Sequence, residues 1–98
     1  MATLIVSYPL SEGSTFDQDY YLSTHIPLAR SAWAEFGLQS AEILFPNRGP
    51  QPLAGLAILR FDEQAGIDAV FASPKTAEVI GDVVNFTNIA PVIFRAND

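Results

Sequence analysis

The stretch LAGLAILRF, residues 53–61, restricts the fold more than any other part of this chain. It is apolar at nearly every position, and a proline-rich loop, PNRGPQP at 46–52, precedes it. A short, continuous apolar run of this kind is typical of a strand that is buried on both faces. Such a strand must lie inside a sheet, with neighbouring strands on both sides.

Three other stretches are predicted as strands because they are rich in β-branched and aromatic residues. They are TLIVSY (3–8), LQSAEILF (38–45) and IAPVIFR (89–95). Pro91 has no N–H to donate to a hydrogen-bond ladder. The last strand is therefore expected at a sheet edge or in a locally irregular form.

Two helical regions are predicted between these strands. The first begins at Thr15, which forms a capping box with Gln18, runs to about Phe36 and ends at Gly37. The second contains a short helix and restarts at a Ser-Pro pair, with proline at the first helical position. The apolar residues along one side of the restarted helix are Ala77, Ile80 and Val84.

The resulting order, βαββαβ, predicts a ferredoxin-like α+β fold with two helices on one face of a four-stranded antiparallel sheet. The 98 residues form a single domain, 1–98, with one modest core. In the usual strand order, 4-1-3-2, the third strand is central and the fourth is an edge. The apolar run and the proline both agree with that order.

Two helices leave the second face of such a sheet uncovered. On that face the chain carries apolar residues, among them Ile5, Ala54, Leu56 and Ile58. Each large side chain left in water costs roughly 1.5–3 kcal/mol relative to burial, and contiguous exposed apolar patches usually mark interfaces. The sequence therefore predicts a homodimer that packs these faces together; a moderately apolar monomer is the alternative.

Composition excludes several classes of partner. The net charge is −6, and the five basic residues are scattered, so neither nucleic acid nor a membrane is an expected partner. There is no cysteine and only one histidine, so no metal site and no cofactor are expected. The amino terminus lacks the pattern of a signal peptide, which predicts a cytoplasmic protein.

The single histidine, His25, falls on the apolar side of the first predicted helix, one turn from Tyr21. Pro27 removes one helical hydrogen bond and biases Ile26 away from helical geometry, which predicts a kink and a pocket between helix and sheet. A histidine that is simply buried, and satisfied by a backbone carbonyl or by Tyr21, is the structural alternative.

Two segments resemble the EthD family. TFDQDYYLSTHIPLARSAW…GL (15–38) is similar to the signature of that family, and DVVNFTNIAPV (82–92) is similar to its C-terminal element. The resemblance implies a dimeric α+β barrel. It also implies a small apolar pocket and proton transfer on carbonyl or phenolic substrates, as in related cofactor-free decarboxylases, cyclases, isomerases and monooxygenases.

We therefore expect His25 to act as an acid or base, because histidine has an unperturbed pKa of about 6.5. The hydrogen-bond donors that the sequence offers are the Tyr20 or Tyr21 hydroxyl and the Asn85 amide, and Tyr21 and Asn85 are the expected catalytic ones. Asp82 either orients His25 or caps a turn, and the second role is expected. The residues predicted to bind the ligand are Tyr20, Trp33, Phe86 and Asp82.

Two functions fit these residues. The first is a cofactor-independent enzyme of aromatic, polyketide or ether catabolism: an isomerase, cyclase, decarboxylase or oxidoreductase. The second is a non-catalytic protein that binds a small hydrophobic or aromatic molecule, as an accessory to an oxidative degradation system.

Overall fold

The four strands pair into one antiparallel sheet in the order β2-β3-β1-β4, in a computed structural model that describes residues 1–97. The strands are β1 (Ala2–Pro9), β2 (Leu38–Leu44), β3 (Leu53–Phe61) and β4 (Val92–Asn97). This is the predicted ferredoxin-like order, with the apolar stretch 53–61 at an inner position. Pro91 immediately precedes β4, which is an edge strand as predicted.

The first helical region contains four segments: α1 (Gln18–Tyr20), a π-helical turn (Tyr21–His25), α2 (Ile26–Trp33) and a 3₁₀ turn (Ala34–Phe36). It ends at Gly37, whose φ of 90° is in the left-handed region, as predicted. Its start differs from the prediction, since Asp17 is the N-cap and accepts a hydrogen bond from the Tyr20 N–H at 3.0 Å. The Thr15 N–H instead donates to Asn88, which ties this residue to the loop before β4.

Pro27 is accommodated by the π-helical turn that directly precedes α2. Ile26 keeps helical angles (φ −64°, ψ −44°), and its N–H donates to the Tyr21 carbonyl five residues earlier. Because the wider turn changes the hydrogen-bond pattern directly before the proline, the helical path continues through it. The expected departure of Ile26 from helical geometry was therefore wrong.

The second helical region contains α3 (Gln64–Ala72) and α4 (Lys75–Gly81), followed by a 3₁₀ turn (Asp82–Asn85). α4 presents a different side to the core from the one predicted. Thr76 and Val79 are its buried residues. One physical reason is that the buried Trp33 Nε1 donates to the Thr76 hydroxyl at 3.0 Å, which draws this residue inward. The predicted stripe is exposed; its members are Ala77, Ile80 and Val84.

The core lies between the helices and one face of the sheet and has two parts. The first is mainly aliphatic and includes Leu4, Leu59, Phe61 and Ile67. The second, which we call the aromatic cluster, consists of rings packed mostly edge-to-face at one end of the sheet, with Tyr20 stacked on Phe86. Its rings are Tyr8, Phe16, Tyr20, Tyr21, Phe45 and Phe86.

The other side of the sheet carries no helix. We call it the open face; its apolar residues are Ile5, Leu44, Leu56, Ile58, Val92 and Phe94. Three of them are exposed, and Phe94 is 58% exposed. Ala54, which was expected here, is instead buried with the aromatic cluster, where a register shift between Tyr8 and Pro9 interrupts the strand alternation.

Candidate functional site

The imidazole of His25 is buried on the sheet side of the π-helical turn, as the residue pattern predicted. Its side chain is 6% exposed. One face stacks on the Tyr21 ring, with centroids 5.5 Å apart and planes inclined by 19°. The Phe86 ring lies 4.5 Å from it, between centroids. Two rings thus hold the imidazole in one orientation.

Asp82 fixes that orientation further. The His25 Nδ1 lies 2.9 Å from the Asp82 Oδ2. The other carboxylate oxygen accepts the Tyr20 hydroxyl at 2.6 Å and the Asn85 amide at 3.0 Å. Asp82 contacts His25, which is the first of its two predicted roles and not the turn cap that the sequence favoured. The 3₁₀ turn directs its carboxylate at the imidazole.

The protonation of this pair follows from the partners of Asp82. Burial acts to raise the pKa of Asp82, but hydrogen bonds from Tyr20, Asn85 and His25 outweigh it and hold the pKa below its usual value. An ionised carboxylate only accepts hydrogen bonds, so the proton between the two groups resides on Nδ1. In a neutral imidazole, Nε2 is then the unprotonated nitrogen.

Nε2 is the polar atom that His25 has available to another molecule. No hydrogen bond joins it to the residues described, and no buried side-chain nitrogen or oxygen among them is left without a partner. The atom is therefore not fully enclosed. His25 lines a cavity between the first helical region and the sheet, whereas Asp82 does not.

This cavity has a volume of about 60 Å³. Its polar side chains are Tyr8, Tyr21, His25 and Trp33, and the rest of its wall is apolar. Ile80 and Ile93 belong to the wall and are also exposed, so they form the mouth. The enclosed space suits one end of a small molecule, since a whole drug-sized ligand occupies a pocket of roughly 300–1,000 Å³.

The predicted site residues fall into two groups. His25, Tyr21 and Trp33 line the cavity, although the Trp33 Nε1 is already donated to Thr76. The remaining four lie behind the imidazole, outside the wall of the cavity: Tyr20, Asp82, Asn85 and Phe86.

Asn85 does not occupy the position expected of a catalytic donor. It is exposed, and its amide donates to Asp82 rather than toward the cavity. The 3₁₀ turn that brings Asp82 to the imidazole places Asn85 three residues further on, on the same carboxylate. Its amide therefore supports the carboxylate and lies outside the wall of the cavity.

The sequence interpretation missed Tyr8. This residue is 2% exposed, lines the cavity and packs edge-on against the Tyr21 ring. The strand alternation placed Tyr8 on the helix-covered side, but nothing in the pattern separated a tyrosine at a cavity from one in the core. The contact between Tyr8 and Tyr21 could not be predicted, because the two residues belong to different elements of the fold.

Comparison with known proteins places the chain in a family. Residues 13–90 match the EthD domain. The chain belongs to the EthD family. No curated protein matches it closely enough to count as a relative.

Solved structures of EthD proteins have the same fold. An EthD-like protein from Ralstonia eutropha JMP134 has a TM-score of 0.78 at 25% identity, over 98% of this chain and 89% of that chain. An EthD family protein from Bacillus halodurans C-125 has a TM-score of 0.75 at 17% identity, over 100% and 98%. A dimeric ferredoxin-like protein of unknown function from Jannaschia sp. CCS1 has a TM-score of 0.68 at 17% identity, over 99% and 98%.

Neither a metal-binding cluster nor a membrane-spanning helix is found in residues 1–97. They contain no cluster of three or more histidine, cysteine, aspartate or glutamate side chains placed to hold a metal ion. Nor does any helix among them have the length and apolar character needed to cross a membrane.

A second groove lies at the β2–β3 end of the sheet and is larger, at about 160 Å³. Its wall includes Leu44, Phe45, Pro52 and Leu56, with no titratable side chain. The cavity at His25 is the candidate functional site because it combines a buried imidazole with an apolar wall.

Proposed function

We propose that this EthD protein is a cofactor-independent enzyme in which His25 moves a proton to and from a carbon next to a carbonyl group. The observation that carries the proposal is the contact between Asp82 and His25 at the wall of an apolar cavity. A carboxylate that orients an imidazole and fixes its tautomer is the arrangement by which proteins prepare histidine as a general base.

In the proposed step, Nε2 of His25 takes the proton from the α-carbon. The C–H electron pair becomes the carbon–carbon double bond of an enolate, and the carbonyl oxygen takes the negative charge. The imidazolium that forms is stabilised by the ionised Asp82. Returning the proton to the opposite face of the same carbon, or to the far end of a conjugated dienolate, completes an isomerisation without any further reactant.

The supporting residues have distinct tasks in this proposal. Tyr20 and Asn85 hold the Asp82 carboxylate, and the aromatic cluster excludes water from the imidazole. An apolar wall strengthens the charge interactions that the enolate needs. The ligand class that suits this wall is a small hydrophobic or aromatic molecule.

We also propose that the protein is a homodimer joined through the open face. Three apolar side chains of that face, Leu44, Val92 and Phe94, are exposed in one subunit. Two structural neighbours, from Jannaschia and from Bacteroides fragilis, are dimeric proteins of this fold. Packing two open faces together buries this surface in a closed twofold assembly.

Exchange of α-protons with solvent deuterium tests the catalytic proposal. The probe is acetophenone in D2O, with the methyl-proton signal followed by NMR. Wild type accelerates exchange above the buffer rate, His25→Gln abolishes the acceleration, and Asp82→Asn reduces it at least tenfold. Asp19→Asn, which removes an exposed carboxylate of the same helical region, leaves the rate unchanged.

The alternative function is a module that binds an apolar molecule without transforming it. If acetophenone shifts resonances around the cavity but wild type exchanges its protons no faster than His25→Gln, that alternative is correct. The catalytic proposal is then wrong.

A further inference from the structure

The hydroxyl groups of Tyr8 and Tyr21 form a buried polar pair in a cavity that is otherwise mostly apolar. Tyr8 comes from β1 and Tyr21 from the π-helical turn, with ring centroids 5.6 Å apart and planes at 82°. The residues are 2% and 1% exposed, and both line the same cavity as His25. Neither hydroxyl is needed to hold Asp82, which uses Tyr20.

Both hydroxyls are protonated at neutral pH. Burial raises the pKa of Tyr8 to about 12, and burial also raises the pKa of Tyr21. A protonated phenol has one hydrogen to donate, and both residues line the cavity. The hydroxyl hydrogen of Tyr8 is therefore available to a group bound there.

We propose that the Tyr8 hydroxyl donates a hydrogen bond to the carbonyl oxygen of a neutral, apolar ligand in the His25 cavity. Tyr21 is a positioning residue, because its ring packs edge-on against the Tyr8 ring and so fixes the direction of the Tyr8 hydroxyl. The proposal rests on the proposed function for its choice of cavity. It adds the group that holds the oxygen, a role that sequence interpretation had given to Tyr21 and Asn85.

The wall of the cavity defines the ligand class. It contains no lysine or arginine, so a phosphate or carboxylate would enter without a balancing charge. Trp33 already donates its Nε1 to Thr76. The polar atoms that remain are an acceptor on His25 and a donor on Tyr8, which suit one carbonyl oxygen with an acidic carbon beside it. The enclosed volume of about 60 Å³ holds that end of the molecule, and the rest extends past Ile80 and Ile93.

A pair of isosteric probes isolates the hydrogen bond. α-Methylstyrene has a CH₂ group at the position where acetophenone has its carbonyl oxygen. Both are titrated by NMR into wild type and Tyr8→Phe. We expect Tyr8→Phe to weaken acetophenone binding by about three- to tenfold, which is the usual range for one neutral hydrogen bond. The affinity for α-methylstyrene, which cannot accept that bond, stays within about twofold and controls for cavity shape.

Tyr21→Phe provides the second variant. It keeps the Tyr8 hydroxyl and the ring contact that positions it, so acetophenone binding weakens by less than in Tyr8→Phe. If the ratio of the acetophenone affinity to the α-methylstyrene affinity is the same in wild type and Tyr8→Phe, the inference is wrong. If the ratio falls as expected while wild type exchanges no α-protons, Tyr8 holds the oxygen and only the catalytic proposal fails.

Discussion

Phe94→Ser tests the open face as a dimer interface. The Phe94 ring is 58% exposed in one subunit, and a phenylalanine of roughly 200 Å² therefore leaves about 115 Å² in water. Burial at about 25 cal/mol per Å² gives about 3 kcal/mol for each subunit, or about 6 kcal/mol for a symmetric pair. If the partner covers both rings, the dissociation constant rises about 10⁴-fold in the variant; half that coverage gives about 10²-fold.

Sedimentation velocity across about 0.1–100 µM measures this change over the relevant range of dissociation constants. Leu22→Ser is the matched control, because Leu22 is an exposed apolar residue of the π-helical turn and not of the open face. We expect the control to sediment as wild type does, and Phe94→Ser to sediment as a monomer. A wild type that is monomeric at the highest concentration, or a Phe94→Ser dimer as tight as wild type, would refute the argument from exposed area.

Three other predictions concern stability. The pKa of Asp82 is lowered in the folded chain, so its contribution to the free energy of unfolding is present above about pH 4 and is lost as pH falls through the folded pKa. In urea titrations, the difference in unfolding free energy between wild type and Asp82→Asn should therefore close below about pH 4. The pKa of Tyr8 is raised to about 12, so its contribution to the free energy of unfolding is present below about pH 10 and declines by about 1.4 kcal/mol per pH unit above it. Tyr8→Phe should therefore lose less stability than wild type as the pH rises, when unfolding is followed by circular dichroism. Thr76→Val leaves the Trp33 Nε1 without an acceptor and should cost about 1–3 kcal/mol, whereas Thr76→Ser should cost less; equal losses in chemical denaturation would show that the hydroxyl is not what matters.

The sheet could be predicted because its strands carry their own signals. The run 53–61 favoured an inner position, and Pro91 favoured an edge or an irregular strand; both signals are local, and the strand order of the ferredoxin-like fold agrees with them. The helix-covered and open faces followed from strand alternation, except near the register shift at Tyr8 and Pro9.

The helical regions were harder to predict because tertiary contacts override periodicity in short helices. α4 has seven residues, so a single contact such as the one between Thr76 and Trp33 can decide which side is buried. The position of His25 on the apolar side followed from the helical wheel. Its partner did not, because Asp82 lies 57 residues away and reaches it through a 3₁₀ turn that has no clear sequence signal.

The π-helical turn links the length of this segment to the direction in which its two ends face. A π turn contains one residue more than the α-helical turn it replaces, whereas one residue added to a regular α-helix rotates one end by about 100° relative to the other. Deleting a single residue between Tyr21 and His25 would therefore let this turn relax to an α-helical one, with Tyr20 still facing Asp82. Pro27 would then lose the wider turn that accommodates it. A gap of one residue here, in any related chain, is therefore expected to coincide with a residue other than proline at this position.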